Sequence, residues 1–169
     1  GRTGWEVSEI SFGALAIGGD WGDVPEEDAL KALHAAADLG INFIDTADVY
    51  SRGESETLIG NAIKGIREEI VLATKVYGTM GDGPNQRGLS AYHIRKACED
   101  SLRRLQTDHI DIYQMHHVDR ATPWEEIWQA MEQLVQEGKV IYVGSSNFAG
   151  WHIATANQEA RRRNFLGLV

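Results

Sequence analysis

The sequence predicts an α/β chain, a parallel (β/α)₈ barrel truncated after about five and a half βα units. Three observations predict it. Short apolar runs alternate with longer amphipathic ones in five strand-and-helix pairs and a sixth strand, at roughly 30 residues per pair, which is the signature of βαβ units. The G-x-G-x-x-G turn that opens a dinucleotide-binding open sheet is absent, and GALAIGGDWGDVPEED stands in its place between the first strand and the first helix. The chain begins GRTGWEVSEI without Met and stops in the apolar run NFLGLV, so both ends read as cut, whereas a whole barrel takes about 250 residues. No linker or low-complexity segment divides it, and residues 1–169 are expected to form a single incomplete barrel domain.

In order along the chain, the first strand is EISFGALAI, and the helix PEEDALKALHAAADLG follows, with Pro25 near its start, Glu26, Glu27 and Asp28 complementing the helix dipole, and Gly40 at its end. INFIDTA is the second strand and SETLIGNAIKGI the second helix. IVLATKV leads to SAYHIRKACEDSLRRLQ, capped by Ser90. HIDIYQMH leads to TPWEEIWQAMEQLVQEGK, capped by Thr122 and closed by Gly138; its Trp124, Trp128, Met131 and Leu134 recur at three-four spacing and belong to the core. KVIYVGSS, the helix AGWHIATANQEARRRN and the strand FLGLV complete the series.

Composition narrows the function classes. A net charge of −9 argues against a nucleic-acid partner, and the longest basic run, Arg161 to Arg163, reads as a solvated helix end. The single cysteine, Cys98, sits mid-helix as a packing residue and calls for no oxidising compartment. No run of 18 apolar residues and no basic-then-apolar leader occurs, so no membrane partner is expected and a cytoplasmic location is the default.

In parallel α/β folds the working groups sit at the carboxyl ends of the strands. Asp45 closes the second strand, with Tyr50 in the loop after it; Lys75 closes the third, His116 the fourth, and Ser146 and Asn147 follow the fifth. Parity puts Val71, Ala73 and Lys75 on one face of the third strand, and Ile110, Ile112, Gln114 and His116 on one face of the fourth, so Lys75 is expected to be partly buried and to pair with Asp45. A tyrosine ordinarily titrates near pH ~10, and an adjacent cation favours the phenolate, which makes Tyr50 beside Lys75 a tuned acid. His116 would hold a substrate oxygen toward it. With no G-x-S-x-G elbow and no other nucleophile in this set, the attacking species is expected to be brought in, as hydride from a reduced nicotinamide.

The bland readings stand beside these. Asp48 is expected to be a loop residue bonding its own backbone. His117 points away from His116 by parity, so the two cannot share a metal, and His34, His93, His109 and His152 receive no role.

GRTGWEVSEISFG, INFIDTADVYSRGESETLIGNAI, IVLATK, DIYQMHH and GKVIYVGSSNF strongly resemble the aldo-keto reductases, in sequence order over the whole chain. That resemblance implies a TIM barrel, NADP(H) as cofactor and a small-molecule carbonyl substrate reduced to an alcohol. By it Asp45, Tyr50, Lys75 and His116 match the family's catalytic tetrad, and Ser146 with Asn147 match the pair that binds the nicotinamide carboxamide. The chain departs from the family where Gly13, Ala14 and Leu15 stand in place of Gly-Thr-Trp, and Trp21 is expected to replace part of that pocket wall. The other readings carried forward are a cofactor-binding sensor or regulatory subunit with negligible turnover, and an inactive structural fragment. An open barrel edge also implies self-association.

Overall fold

In the computed structural model, which describes residues 2–19, 22 and 24–169, strand and helix alternate. Their order is β1 (Phe12–Gly13), α1 (Glu26–Asp38), β2 (Phe43–Asp45), α2 (Glu54–Ala62), β3 (Val71–Val76), α3 (Ala91–Leu105), β4 (Ile110–Met115), α4 (Trp124–Gln136), β5 (Val140–Ser145) and α5 (Gly150–Arg162). Among the described residues the five strands lie side by side in chain order, every pair parallel. An order that never doubles back is the winding of a (β/α) barrel wall; an open doubly wound sheet reverses at a switch point.

The helices are amphipathic for visible reasons. α3 begins where the Ser90 hydroxyl accepts the His93 N–H at 3.3 Å, ends with Arg103 and Arg104 in its last turn, and buries Ile94, Ala97, Cys98, Ser101, Leu102 and Leu105. α4 buries Ile127, Trp128, Ala130, Met131 and Leu134, and the Trp128 indole N–H finds the Ala156 carbonyl at 2.9 Å on α5. α2 and α3 approach so closely that a Cβ on Gly60 would lie 2.6 Å from the Arg104 carbonyl oxygen.

Three boundaries differ from expectation. EISFGALAI supplies only the two-residue β1, and Ala16–Gly18 forms a 3₁₀ turn; alanine and glycine have little preference for strand, and Gly19 at φ 100° swings the chain round. FLGLV forms one bridge, Leu168 beside Val143, because Gly167 at φ 83° breaks the extension. Pro123, not Thr122, occupies the N-cap position of α4, and the Thr122 hydroxyl donates instead to Asp119 at 3.0 Å.

Candidate active site

The polar residues at the strand ends are held by the sheet's own ladder, continued past each strand. The Thr46 N–H reaches the Ala73 carbonyl at 2.9 Å and the Asp48 N–H the Lys75 carbonyl at 3.3 Å; the His116 N–H reaches Val76 and the Ser146 N–H reaches Met115, each at 2.9 Å. Side chains placed this way share one rim.

Lys75 is the hub. The residue is 4% exposed, and an ammonium has three N–H donors to satisfy. All three have acceptors: Asp45 Oδ1 at 2.5 Å, the Thr46 carbonyl at 2.7 Å and the Tyr50 hydroxyl at 3.1 Å. The second oxygen of Asp45 accepts the Gln114 amide at 2.8 Å, so both carboxylate oxygens are bonded. A buried cation paired in this way escapes most of its desolvation penalty. Gln114 lies opposite Lys75 on β4 and opposite Gly144 on β5, where a Cβ would come within 3.0 Å of its Cγ. Glycine at 144 leaves the amide its room.

Tyr50 comes from the turn after β2. Its N–H bonds the Ala47 carbonyl at 3.2 Å, and Ser51 and Arg52 adopt φ 46° and 55°, a left-handed conformation that ordinary residues avoid. The turn is pinned from below, where the Thr46 and Ser55 hydroxyls meet at 2.9 Å and Ser55 donates to the Ala14 carbonyl at 2.8 Å. The Tyr50 ring stands edge-on to His116, with centroids 5.7 Å apart, and Lys75 Nζ lies 4.8 Å from the ring centre. His116 is pulled below the ordinary imidazole range by burial and then by the Lys75 charge, against the opposing pull of Asp45. Its neutral ring carries one N–H to donate.

Ser146 and Asn147 adjoin His116. The Asn147 amide donates to the His116 carbonyl at 3.0 Å and to Ser146 Oγ at 3.2 Å, from a backbone at φ 55° that asparagine tolerates well. The structure thus brings Asp45, Tyr50, Lys75 and His116 into contact with one another, with Ser146 and Asn147 beside them. Trp21 lies outside the described residues. A cavity of about 600 Å³ opens over the strand face that carries Asp45, Gln114 and Gly144, and its walls include neither Tyr50 nor His116.

A model of the aldo/keto reductase family matches residues 9–165 of this chain. The chain belongs to that family. It is 52% identical, over its whole length and 54% of the relative's, to the protein named "Uncharacterized oxidoreductase YrpG" of Bacillus subtilis. It is 38% identical, over its whole length and 52% of the relative's, to the "Probable voltage-gated potassium channel subunit beta" of Oryza sativa subsp. japonica. It is 42% identical, over 87% of the chain and 45% of the relative, to "Aldo-keto reductase YhdN" of Bacillus subtilis. The chain spans about half the length of these curated relatives.

Within this aldo/keto reductase chain, two participants escaped the reading of the sequence. Gln114 was placed on the right face but given no task, because its bond to Asp45 depends on strand register, which periodicity does not fix. Asp48 was expected to bond its own backbone as a loop residue; the Val49 backbone is indeed its hydrogen-bonding neighbour, but the residue is 0% exposed and its carboxyl has no side-chain partner among the described residues. His117 lies against Tyr77, with ring centroids 5.5 Å apart.

Proposed function

We propose that the protein reduces an aldehyde or ketone to an alcohol with NADPH, Tyr50 serving as the proton donor. The observation that carries this reading is the contact of one buried ammonium with both a carboxylate and a phenol. Because the Tyr50 oxygen accepts a hydrogen bond from Lys75, the phenol's own proton is free to point away from Lys75, toward a bound carbonyl. As that proton leaves, negative charge gathers on the Tyr50 oxygen, 3.1 Å from the ammonium that stabilises it. Asp45 holds Lys75 in place, Gln114 holds Asp45, and the neutral His116 donates its ring N–H to the carbonyl oxygen to orient it.

The donor set fits a nicotinamide carboxamide. With the Asn147 amide nitrogen already committed, its Oδ1 is left to accept an N–H, and the Ser146 hydroxyl is left to donate to a carbonyl. Bound there, a reduced nicotinamide supplies the hydride that the side chains of this site lack. The substrate is read only as a small carbonyl compound.

A second reading, a cofactor-binding regulatory subunit with negligible turnover, is favoured by one finding, the relative named as a potassium channel beta subunit. Following NADPH oxidation in the whole protein with a panel of aldehydes separates the two. Repeated turnover supports the reductase; a single turnover with the product cofactor retained supports the sensor. Self-association is a further element of the proposal, since the six-residue β5 at one edge of the sheet is paired on its outer side only by the Leu168 bridge among the described residues, and sedimentation of the chain tests it.

A further inference from the structure

Asp48 stands two residues before Tyr50, in the same turn, yet its carboxyl lies on the helical side of the sheet, against α3. Its oxygens find no side-chain partner among the described residues, and the Val49 backbone is their hydrogen-bonding neighbour. Facing the same gap from α3 is His93, 3% exposed, whose ring also lacks a side-chain partner among the described residues and has the Gly78 backbone as its hydrogen-bonding neighbour. Gln86, Lys96, Asp100 and Arg104 also line the gap, whose volume is about 20 Å³. That exceeds the ~10–15 Å³ needed to hold one water and is far too small for a substrate. Two buried polar side chains, each with more hydrogen-bonding atoms than its one backbone neighbour can satisfy, face one water-sized space, and proteins rarely leave such atoms unbonded.

We propose that this gap is an ordered-water site, and that the water, bonded to the Asp48 carboxyl and to a His93 ring nitrogen, ties the turn carrying Tyr50 to α3. Asp48 is then a positioning residue for the proton donor; this second half rests on the role proposed for Tyr50, while the water site does not.

The charges around the gap agree with a proton residing there. Burial foremost, and then the Glu56 carboxylate on α2, push Asp48 from 3.8 up to about 7, against the pull of the Val49 backbone, Arg104 on α3 and Lys75 on β3. His93 is pushed down by burial and by Lys96, with the Gly78 backbone and Asp100 opposing. Near neutral pH a protonated Asp48 donates to the water, and the water donates to the neutral imidazole. Between pH 3.8 and about 7 the folded chain holds a proton on Asp48 that the unfolded chain releases. Stability from this group is therefore whole below that window and is lost as the pH rises through it.

Asp48→Asn tests the proposal, since the amide keeps a donor and cannot ionise. In the whole protein the infrared stretch of a protonated buried carboxyl is expected near pH ~6 and is expected to vanish in the variant. The melting temperature of the wild type should fall more steeply than that of Asp48→Asn between about pH 5 and about pH 8. Water-to-protein Overhauser contacts should appear at the His93 ring protons. Absence of the water contacts overturns the water site, and absence of the carboxyl band overturns the proton placed on Asp48. The positioning role is read from kcat with benzaldehyde and NADPH, which should decline in the wild type with an apparent pKa near 7 and lose that step in Asp48→Asn. Superimposable pH profiles would overturn positioning while leaving the water site standing. Should Tyr50→Phe retain turnover, the reductase reading fails, and the Overhauser result still decides the water.

Discussion

Lys75 donates to the Tyr50 hydroxyl across 3.1 Å while remaining bonded to Asp45 at 2.5 Å, so a buried cation links a carboxylate on one strand to a phenol on the following turn. The link matters because the sheet builds it: Asp45 and Ala73 are register partners across β2 and β3, and Lys75 is the next residue of β3 on Ala73's face. A one-residue slip of β3 would turn Lys75 into the helical layer.

Tyr50→Phe removes the hydroxyl and nothing else from this arrangement. In the whole protein kcat with an aldehyde should fall at least about a hundredfold, the ordinary scale for a general acid, while NADPH binding persists. Turnover close to wild type in steady-state assays would remove Tyr50 from the proton-donating role.

Lys75→Met strips the hub of its charge. Asp45 would keep the Gln114 amide and some contact with water, its side chain being 30% exposed, so the stability loss should fall at the lower end for breaking a buried pair, about 3 kcal/mol. Activity and melting temperature should drop together, and a variant with both intact would show that the ammonium is solvated in solution.

Much of this site was legible in the sequence because strand parity is a strong constraint. Asp45, Lys75 and His116 each close an apolar run, and a polar residue at the end of a buried parallel strand has few places to point except the rim. Tyr50 was placed through its motif, since no periodicity governs a turn with two left-handed residues. Gln114 gained its task only from the register of β3 on β4. The burial of Asp48 was missed for the opposite reason: an aspartate in a short polar turn ordinarily serves that turn, as the Val49 backbone bond does here, and only the packing of α3 over it shows that it is buried. The first strand was overextended because alanine and glycine fill a buried position without favouring strand there.

His116 sits partly buried beside the Lys75 ammonium, and both effects disfavour its protonation. Ring nitrogen shifts should therefore show a neutral imidazole at pH 6.5, where an exposed histidine is half protonated. The sign for stability follows from linkage: just below that pH the unfolded chain takes up a proton that the folded chain refuses, so stability falls as the pH drops. His93 adds a slope of the same sign. His116→Gln, which keeps an N–H donor, should leave a shallower acid limb in a series of melting curves.

Gly60 is a packing requirement. An added methyl would lie 2.6 Å from the Arg104 carbonyl oxygen and 2.7 Å from the Leu105 carbonyl, backbone atoms that cannot move without shifting the end of α3. That end holds Arg104 against the buried Glu56 at 2.7 Å. Gly60→Ala should cost about 2 kcal/mol, or roughly 6 °C in melting temperature. Gly4→Ala, with nothing within 4 Å, is the matched control and should be nearly silent.

Ser146 and Asn147 make the most separable prediction, because they lie at the rim with no part in the core. Ser146→Ala deletes one neutral hydrogen bond to the proposed carboxamide, worth about 1 kcal/mol, and should weaken NADPH binding roughly fivefold. Asn147→Ala should do more: it removes the Oδ1 acceptor and the 3.0 Å tie to the His116 carbonyl, and it places alanine at φ 55°, where asparagine is better tolerated. Its Kd for NADPH should rise by about tenfold or more. Asn147→Gly separates the causes, since glycine accepts the backbone but restores neither bond. If Asn147→Gly binds NADPH as the wild type does, measured by nicotinamide fluorescence, then Asn147 serves only the turn, and the carboxamide must be held by other groups.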